Sequence, residues 1–309
     1  MIRLTSRPAI WPASLVAWRC ESEKYAGKST LLNSLVKEKI AITANKVQTT
    51  RTAIKAILND ENYQIIITDT PGIHKPKTKL SETMVSTAFT MFAEVDVILF
   101  LIEADSTEIG RGDRLILDKI KESKKPCILV INKIDLVKRE KLLNLIKIYT
   151  DEYAFKAVVP ISATKEDGVQ TIVDELVKLL PEGPKYYSDE EYTDQTVRQI
   201  SEEIIREKAL KFLNDEVPHG IYIEIEKFKD RKTTKGEDIY DVEATIYCLR
   251  ESHKGIIIGK GGNLLKKIAM TARQDIEKML DTKVNLKVWV KVKEDWQEKD
   301  NIVNKFKLK

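Results

Sequence analysis

The stretch Gly27-Lys28-Ser29-Thr30, with the apolar run Leu31-Leu32-Asn33-Ser34-Leu35 behind it, most narrows what this chain can fold into. A loop ending in Gly-Lys-Ser at a helix N-terminus aims backbone N–H groups and the positive end of the helix dipole at an anion. The lysine adds a point charge for β- and γ-phosphates, and the hydroxyl can ligate Mg²⁺. Such a loop must follow a buried strand, and Ser14-Leu15-Val16-Ala17-Trp18 supplies one. The complete motif has a glycine five residues before Gly27, where this chain has Ser22. Taken alone, the tetrapeptide is a weak signal, and an ordinary helix start is the plainer reading.

The order of the elements that follow changes that weighting. Residues 29–36 read as a helix, and 40–51 are polar without clear periodicity. Residues 53–58 and 63–68 are two strands around the turn Asn59-Asp60-Glu61-Asn62. Val95 to Ile102 and Pro126 to Ile131 are unbroken apolar runs, the pattern of parallel strands buried on both faces. Helical patterns at 79–92, 115–120, 138–148 and 169–180 alternate with these strands and a further one at 157–161. Strands alternating with helices specify a doubly wound α/β domain. Pro181-Glu182-Gly183-Pro184 ends the pattern. Beyond it come a helix over 195–213, two alternating strands around a charged hairpin at 229–238, a helix over 263–280 and a strand over 284–292. That order, α-β-β-α-β, is a small α+β domain. The expected division is therefore 1–180, a linker at 181–192, a second domain at 193–295 and a charged, mobile tail at 296–309.

With 309 residues, each of two domains is long enough to bury a core. Hydrophobic residues make up 42% and charged residues 32%, which excludes a disordered or fibrous chain. A net charge of +4 is too mild to argue for nucleic acid on its own. No apolar run reaches the length of a membrane span, and no signal peptide is read at the N-terminus. Cys20, Cys127 and Cys248 are distant from one another and odd in number, which fits free thiols in a reducing cytosol. His74, His219 and His253 are scattered and form no metal or triad constellation.

Three polar clusters each lie just after an apolar stretch, where an open α/β sheet binds its ligands. The first is Gly27-Lys28-Ser29. The second is Asp69-Thr70-Pro71-Gly72. Asp69 can hold Mg²⁺ through water, and the Gly72 N–H can meet a γ-phosphate oxygen. The third is Asn132-Lys133-Ile134-Asp135. The Asp135 carboxylate can accept from N1–H and the exocyclic amine of guanine, a donor pair that adenine lacks. Each cluster met singly is a turn or a cap. All three in order make coincidence improbable.

These residues resemble a translation-factor-class GTPase. Asn45-Lys46-Val47-Gln48-Thr49-Thr50-Arg51 and Asp69-Thr70-Pro71-Gly72-Ile73-His74-Lys75-Pro76 are similar to the bacterial Era GTPase family, from about Gly27 to the C-terminus. The resemblance implies GTP/GDP and Mg²⁺ as cofactors. It implies a Mg²⁺-ligating threonine at Thr50, with Thr49 the alternative, and a base-supporting loop at Ser162-Ala163-Thr164-Lys165. Lys28, Thr50 and Gly72 would serve catalysis. Ser29, Thr50 and Asp69 would hold the metal. Gly27, Lys28, Ser29, Thr30, Asp69, Gly72, Asn132, Lys133, Asp135, Ser162 and Ala163 would hold the nucleotide. Many small GTPases place a water-orienting glutamine after the second-motif glycine; this chain has Ile73, so intrinsic hydrolysis is expected to be slow.

The fit stops abruptly before Gly27. The family loop reads Gly-Arg-Pro-Asn-Val-Gly-Lys-Ser; here it is Ser22-Glu23-Lys24-Tyr25-Ala26-Gly27-Lys28-Ser29. Ser22 brings a Cβ where the backbone curls round a phosphate, and Glu23 brings a negative charge. Either the loop has diverged, leaving an RNA-binding scaffold impaired in nucleotide binding, or residues before Ala26 come from a shifted reading frame.

In the second domain, Gly259-Lys260-Gly261-Gly262 lies between Ile256-Ile257-Ile258 and a helix carrying Lys266, Lys267 and Arg273. A G-x-x-G loop opening a helix is the backbone clamp of a KH RNA-binding module, because two glycines let a nucleic-acid strand approach. Its context resembles the KH domain of the Era family, of type II, and Lys254 and Lys260 are candidates for phosphate. Lys287, Lys291 and Lys293, with Trp289 among them, either extend the basic surface or solvate an exposed strand. Tyr186, Tyr187 and Tyr192 in the linker are expected to pack domain to domain. The resemblance further implies 16S ribosomal RNA and the small ribosomal subunit as partners, no DNA, a monomer, and a cytoplasmic place with peripheral association at the inner face of the cell membrane.

Overall fold

The computed structural model describes residues 11–18, 27–43, 51, 54–69, 76 and 78–306. The expectations for Ser22 to Ala26, Thr49, Thr50, Gly72 and Ile73 lie outside the described residues.

The first domain runs β1 (Trp11–Trp18), α1 (Lys28–Val36), β2 (Ile54–Asn59), β3 (Tyr63–Asp69), α2 (Lys79–Glu94), β4 (Val97–Glu103), α3 (Arg111–Ser123), β5 (Cys127–Asn132), α4 (Arg139–Glu152), β6 (Ala157–Pro160) and α5 (Val169–Val177). Its six strands lie in the order β2-β3-β1-β4-β5-β6. Only the β2–β3 pair is antiparallel, as two strands joined by a tight turn must be. Alternate residues of β4 feed two cores. Val97, Leu99 and Leu101 pack with α1 and α5. Ile98, Phe100 and Ile102 pack with α2, α3 and α4. The unbroken apolar run was the sequence sign of this two-sided burial. Cys127 is buried in the second core, where burial pushes its thiol pKa up.

The second domain runs α6 (Val197–Phe212), β7 (Tyr222–Lys232), β8 (Asp238–Cys248), α7 (Glu251–Ile258), α8 (Asn263–Leu280) and β9 (Lys283–Val292). β8 pairs antiparallel with β7 and parallel with β9. One helix, α7, exceeds the expected order. The three helices cover one sheet face around Ile204, Ile205, Ala244, Ile257, Ile268 and Ala272.

The tail departs from expectation. Residues 296–306 are folded, with a short helix α9 (Asp300–Val303). Trp296 is fully buried, its indole N–H donating to the Gly220 carbonyl at 3.0 Å. Trp296, Ile302 and Val303 pack with Leu80 and Met84 of α2 and Tyr222 of β7, so this segment binds the two domains together. Its charges are spent at the rim, where Lys79 pairs with Asp300 at 2.6 Å.

Arg51 is the other tie. It is 2% exposed, donates to the carbonyls of Ile221 and His219, and lies 5.6 Å from the Trp296 ring. Burial, and then the nearby Arg206 charge, pull its pKa down to about 9. A third tie is ionic. Lys39 reaches Glu207 at 2.7 Å and Asp275 at 2.8 Å, and the Thr43 N–H donates to Glu207. The linker is fastened through its backbone, and of its three tyrosine rings only that of Tyr187 is half-buried. Tyr186 and Tyr192 are exposed, whereas the Ile57 N–H donates to the Tyr192 carbonyl and the Gln64 amide clasps Tyr186 and Tyr187.

Candidate nucleotide site and RNA-binding loop

The strand ends of the first sheet bring together most of the nucleotide-site residues read from the sequence. Gly27 caps α1 at φ +78°, and a Cβ built there would stand 2.7 Å from Asn132 Nδ2. The glycine is required twice over, by its backbone angle and by the amide packed against it. In the first turn of the helix, Ser29 Oγ donates to Asp69 Oδ2 at 3.0 Å, both residues being buried. A hydroxyl and a carboxylate converging beside a lysine-bearing helix N-terminus form an all-oxygen donor set of the kind Mg²⁺ takes when phosphates complete its shell. Lys28 and Thr30 flank this pair, half-buried. Thr50 and Gly72 lie outside the described residues.

The base side is more tightly built. Asn132, at the end of β5, is buried and accepts from the Lys133 N–H at 2.8 Å and the Ala163 N–H at 3.0 Å. One side chain thus locks the third motif to the loop carrying Ser162 and Ala163. Lys133 takes a left-handed φ of +65° and leads into a single 3-10 turn, Ile134–Leu136, that holds Asp135. The Ser162 hydroxyl bonds the Asp135 carboxylate, and Lys165 lies 3.5 Å away. The hydroxyl, and then the lysine, hold the carboxyl below the usual carboxylate range. Asp135 is therefore ionised at neutral pH, as an acceptor of two N–H donors must be. Glu103, at the end of β4, was not found from the sequence. It is 2% exposed and pairs with Lys133 at 2.7 Å. The signal was present as an acid closing an apolar run, Val97 to Glu103.

In the second domain, Gly259, Gly261 and Gly262 all have positive φ, at +73°, +59° and +78°. A Cβ at Gly259 would stand 2.7 Å from Leu264 Cβ, whereas Gly261 and Gly262 face open space. The loop therefore exposes its backbone at the head of α8, as a clamp for a phosphodiester strand requires. The basic residues divide. Lys260 and Lys266 are exposed and have no ion pair among the described residues. Lys254 pairs with Glu251 at 3.5 Å, Arg273 with Glu277 at 3.8 Å, and Lys267 lies 4.4 Å from the Phe212 ring. On β9, Trp289 is exposed, but Lys291 pairs with Glu226 at 3.2 Å and Lys293 lies 5.1 Å from the Tyr247 ring. Lys287 is exposed with no ion pair among the described residues, so of these three lysines one is paired with an acid, one lies by a ring and one is open to solvent.

Comparison with known proteins bears on the family and the fold. A family model described as 50S ribosome-binding GTPase matches residues 24–133, and a KH domain model matches residues 216–297. The chain is 53% identical over 280 residues to GTPase Era of Caldanaerobacter subterraneus subsp. tengcongensis, covering 91% of this chain and 93% of that one. It is 52% identical over 281 residues to GTPase Era of Clostridioides difficile, covering 91% and 93%. Among solved structures, Era in complex with MgGDPNP and nucleotides 1506–1542 of 16S ribosomal RNA is similar with a TM-score of 0.89 at 36% identity, over 97% of this chain and 98% of that one. Aquifex aeolicus Era bound to GDP·AlF4⁻ is similar with a TM-score of 0.88 at 36% identity, over 96% and 98%.

Proposed function

This chain belongs to the Era GTPase family, and from that premise we propose that it is a GTP-hydrolysing switch that binds the 3′ region of 16S ribosomal RNA during small-subunit assembly. The observation that carries the nucleotide half is the convergence of Ser29 with Asp69 and of Asn132 with Ala163 at the ends of adjacent strands. The open glycines at the head of α8 carry the RNA half.

In this reading Asp135 accepts from the guanine edge, and Asn132 keeps the Ser162–Ala163 loop against the base. Ser29, Asp69 and Thr50 would hold Mg²⁺, which when bound would neutralise phosphate charge. Lys28 and the N–H groups at the head of α1 would stabilise the negative charge that grows as the terminal phosphoryl transfers. Ile73 offers no hydrogen bond to water, so hydrolysis by the chain alone is slow. RNA lies across Gly259–Gly262, with Lys260 and Lys266 on its phosphates and Lys254, Lys267 and Arg273 at the margin. GTP binding and hydrolysis would switch the first domain between two states. Arg51 and Lys79 place the second domain and its terminal segment within reach of that change. The domain division follows the same reading, except that 296–306 joins the interface. No helix among the described residues is long and apolar enough to cross a membrane. Family likeness alone supports a monomer in the cytoplasm with peripheral association at the inner membrane face.

The test is equilibrium binding of fluorescent GDP to the full chain with Mg²⁺, competed by GTP and by ATP, together with binding of a 16S 3′ fragment. Displacement by GTP and not by ATP is expected. A folded chain that binds the RNA but no GDP would overturn the switch and leave a scaffold.

A further inference from the structure

We propose that Glu103 is a positioning residue for the guanine base, acting through Lys133. The inference rests on the nucleotide-binding reading above and goes beyond it, because Glu103 lies outside every motif that defines the site.

Glu103 closes β4 directly beside Asn132 in the β4–β5 register. Its carboxylate is 2% exposed, and the Lys133 ammonium meets it at 2.7 Å. A buried carboxylate is tolerated only when it is paired, and the Lys133 ammonium is one of the groups that pair it, so the contact favours one placement of the lysine. The lysine backbone is fixed as well. The N–H is held by Asn132 Oδ1 at 2.8 Å, φ is +65°, and the Ala104 N–H bonds the Asn132 carbonyl at 2.8 Å. With both ends anchored, the four-carbon stem of Lys133 is held between its own backbone, in the motif that reads the base, and Glu103 at the end of β4. An apolar stem held so offers the ring a flat face. Its ordering is complete before the nucleotide arrives, so binding does not bear that cost. The phosphate side of this chain carries Ser22, Glu23 and Tyr25 in place of the family residues.

Glu103→Gln in the full chain is the test, read by GTP and GDP affinity against affinity for inorganic triphosphate, which has phosphates and no base. Both nucleotide dissociation constants rise about tenfold, the scale expected when one long side chain must be re-ordered at each binding event. Inorganic triphosphate affinity stays unchanged. In a Lys133→Met background the same substitution adds nothing to the loss, because the residue it acts through is gone. Glu103→Asp, which keeps the charge and shortens the reach, gives an intermediate loss and serves if Glu103→Gln fails to fold. Equal losses for GTP and inorganic triphosphate, a loss that persists without Lys133, or no loss at all would overturn the proposal. A wild-type chain that binds no GTP overturns both this inference and the function it rests on.

Discussion

Two glycine loops open two helices in this molecule, and they need glycine for different reasons. Gly27 is packed: a Cβ there would meet the amide of Asn132, a residue that also holds the base loop. Gly261 and Gly262 are open: nothing stands within 4 Å of a Cβ at either, and only the positive φ calls for glycine. Gly27 is wedged against the residue that holds the base loop, and Gly261 and Gly262 are a bare rail for a ligand that brings its own shape. A small metabolite of fixed outline suits the first, and a polymer read along its backbone suits the second.

The largest expected effect lies at the packed loop. Gly27→Ala combines a left-handed backbone with overpacking, each about 1–3 kcal/mol, so GDP affinity falls about 100-fold or more. Retained affinity, measured with fluorescent GDP, would break the contrast. Next is Asp135→Asn, which removes a charged acceptor and lowers GTP affinity about 10- to 100-fold. Xanthosine triphosphate, which presents a carbonyl where guanine presents an amine, gains affinity in the same titration. At the open loop, Gly262→Asp weakens RNA about tenfold through like charge beside phosphate and leaves GTP binding intact. Gly262→Asn, nearly the same shape without the charge, loses less. If the two lose equally, sterics govern there too, and the two loops are alike. Unchanged RNA affinity in Gly262→Asp would remove the clamp.

The smallest effect is at the interface, where burial pulls Lys39 down but the hydrogen bonds to Asp275 and Glu207 prevail and raise its pKa. Burial likewise pushes Glu207 up and Lys39 outweighs it, so Glu207 ends below its usual value. The raised lysine stabilises the fold below its ordinary pKa and loses that contribution as pH rises through the raised one. The lowered acid stabilises above its ordinary pKa and loses that as pH falls. Lys39→Met therefore costs about 1 kcal/mol or less, greatest between about pH 4.5 and 10.5. Denaturant melts of both proteins across pH measure the difference, and a pH-independent gap would mean that Lys39 acts by packing alone.

Much of this was legible. The run Val95 to Ile102 announced a two-sided strand, and the three motifs fell at strand ends because apolar runs stop where a sheet stops. Helix α7 was hidden because Gly255 and three consecutive isoleucines are poor helix formers that only tertiary packing overrides. The terminal segment was hidden because its charged composition outweighed one tryptophan, Trp296, whose burial depends on residues far away in the chain. Glu103 and Arg51 were hidden for a related reason: single charged residues carry no periodicity, and their partners are set by folding.

The terminal segment also bears on the order of folding. The bond from the Lys79 N–H to Glu298 spans 219 residues, while Trp296 reaches Gly220 across 76. Closing so long a loop is entropically slow unless both ends are already structured. Each domain therefore forms first on its own local contacts, and the Trp296 cluster snaps shut last. By the same token it opens first, so hydrogen exchange should find the Trp296 indole and α9 amides released in a sub-global opening that leaves both domain cores protected.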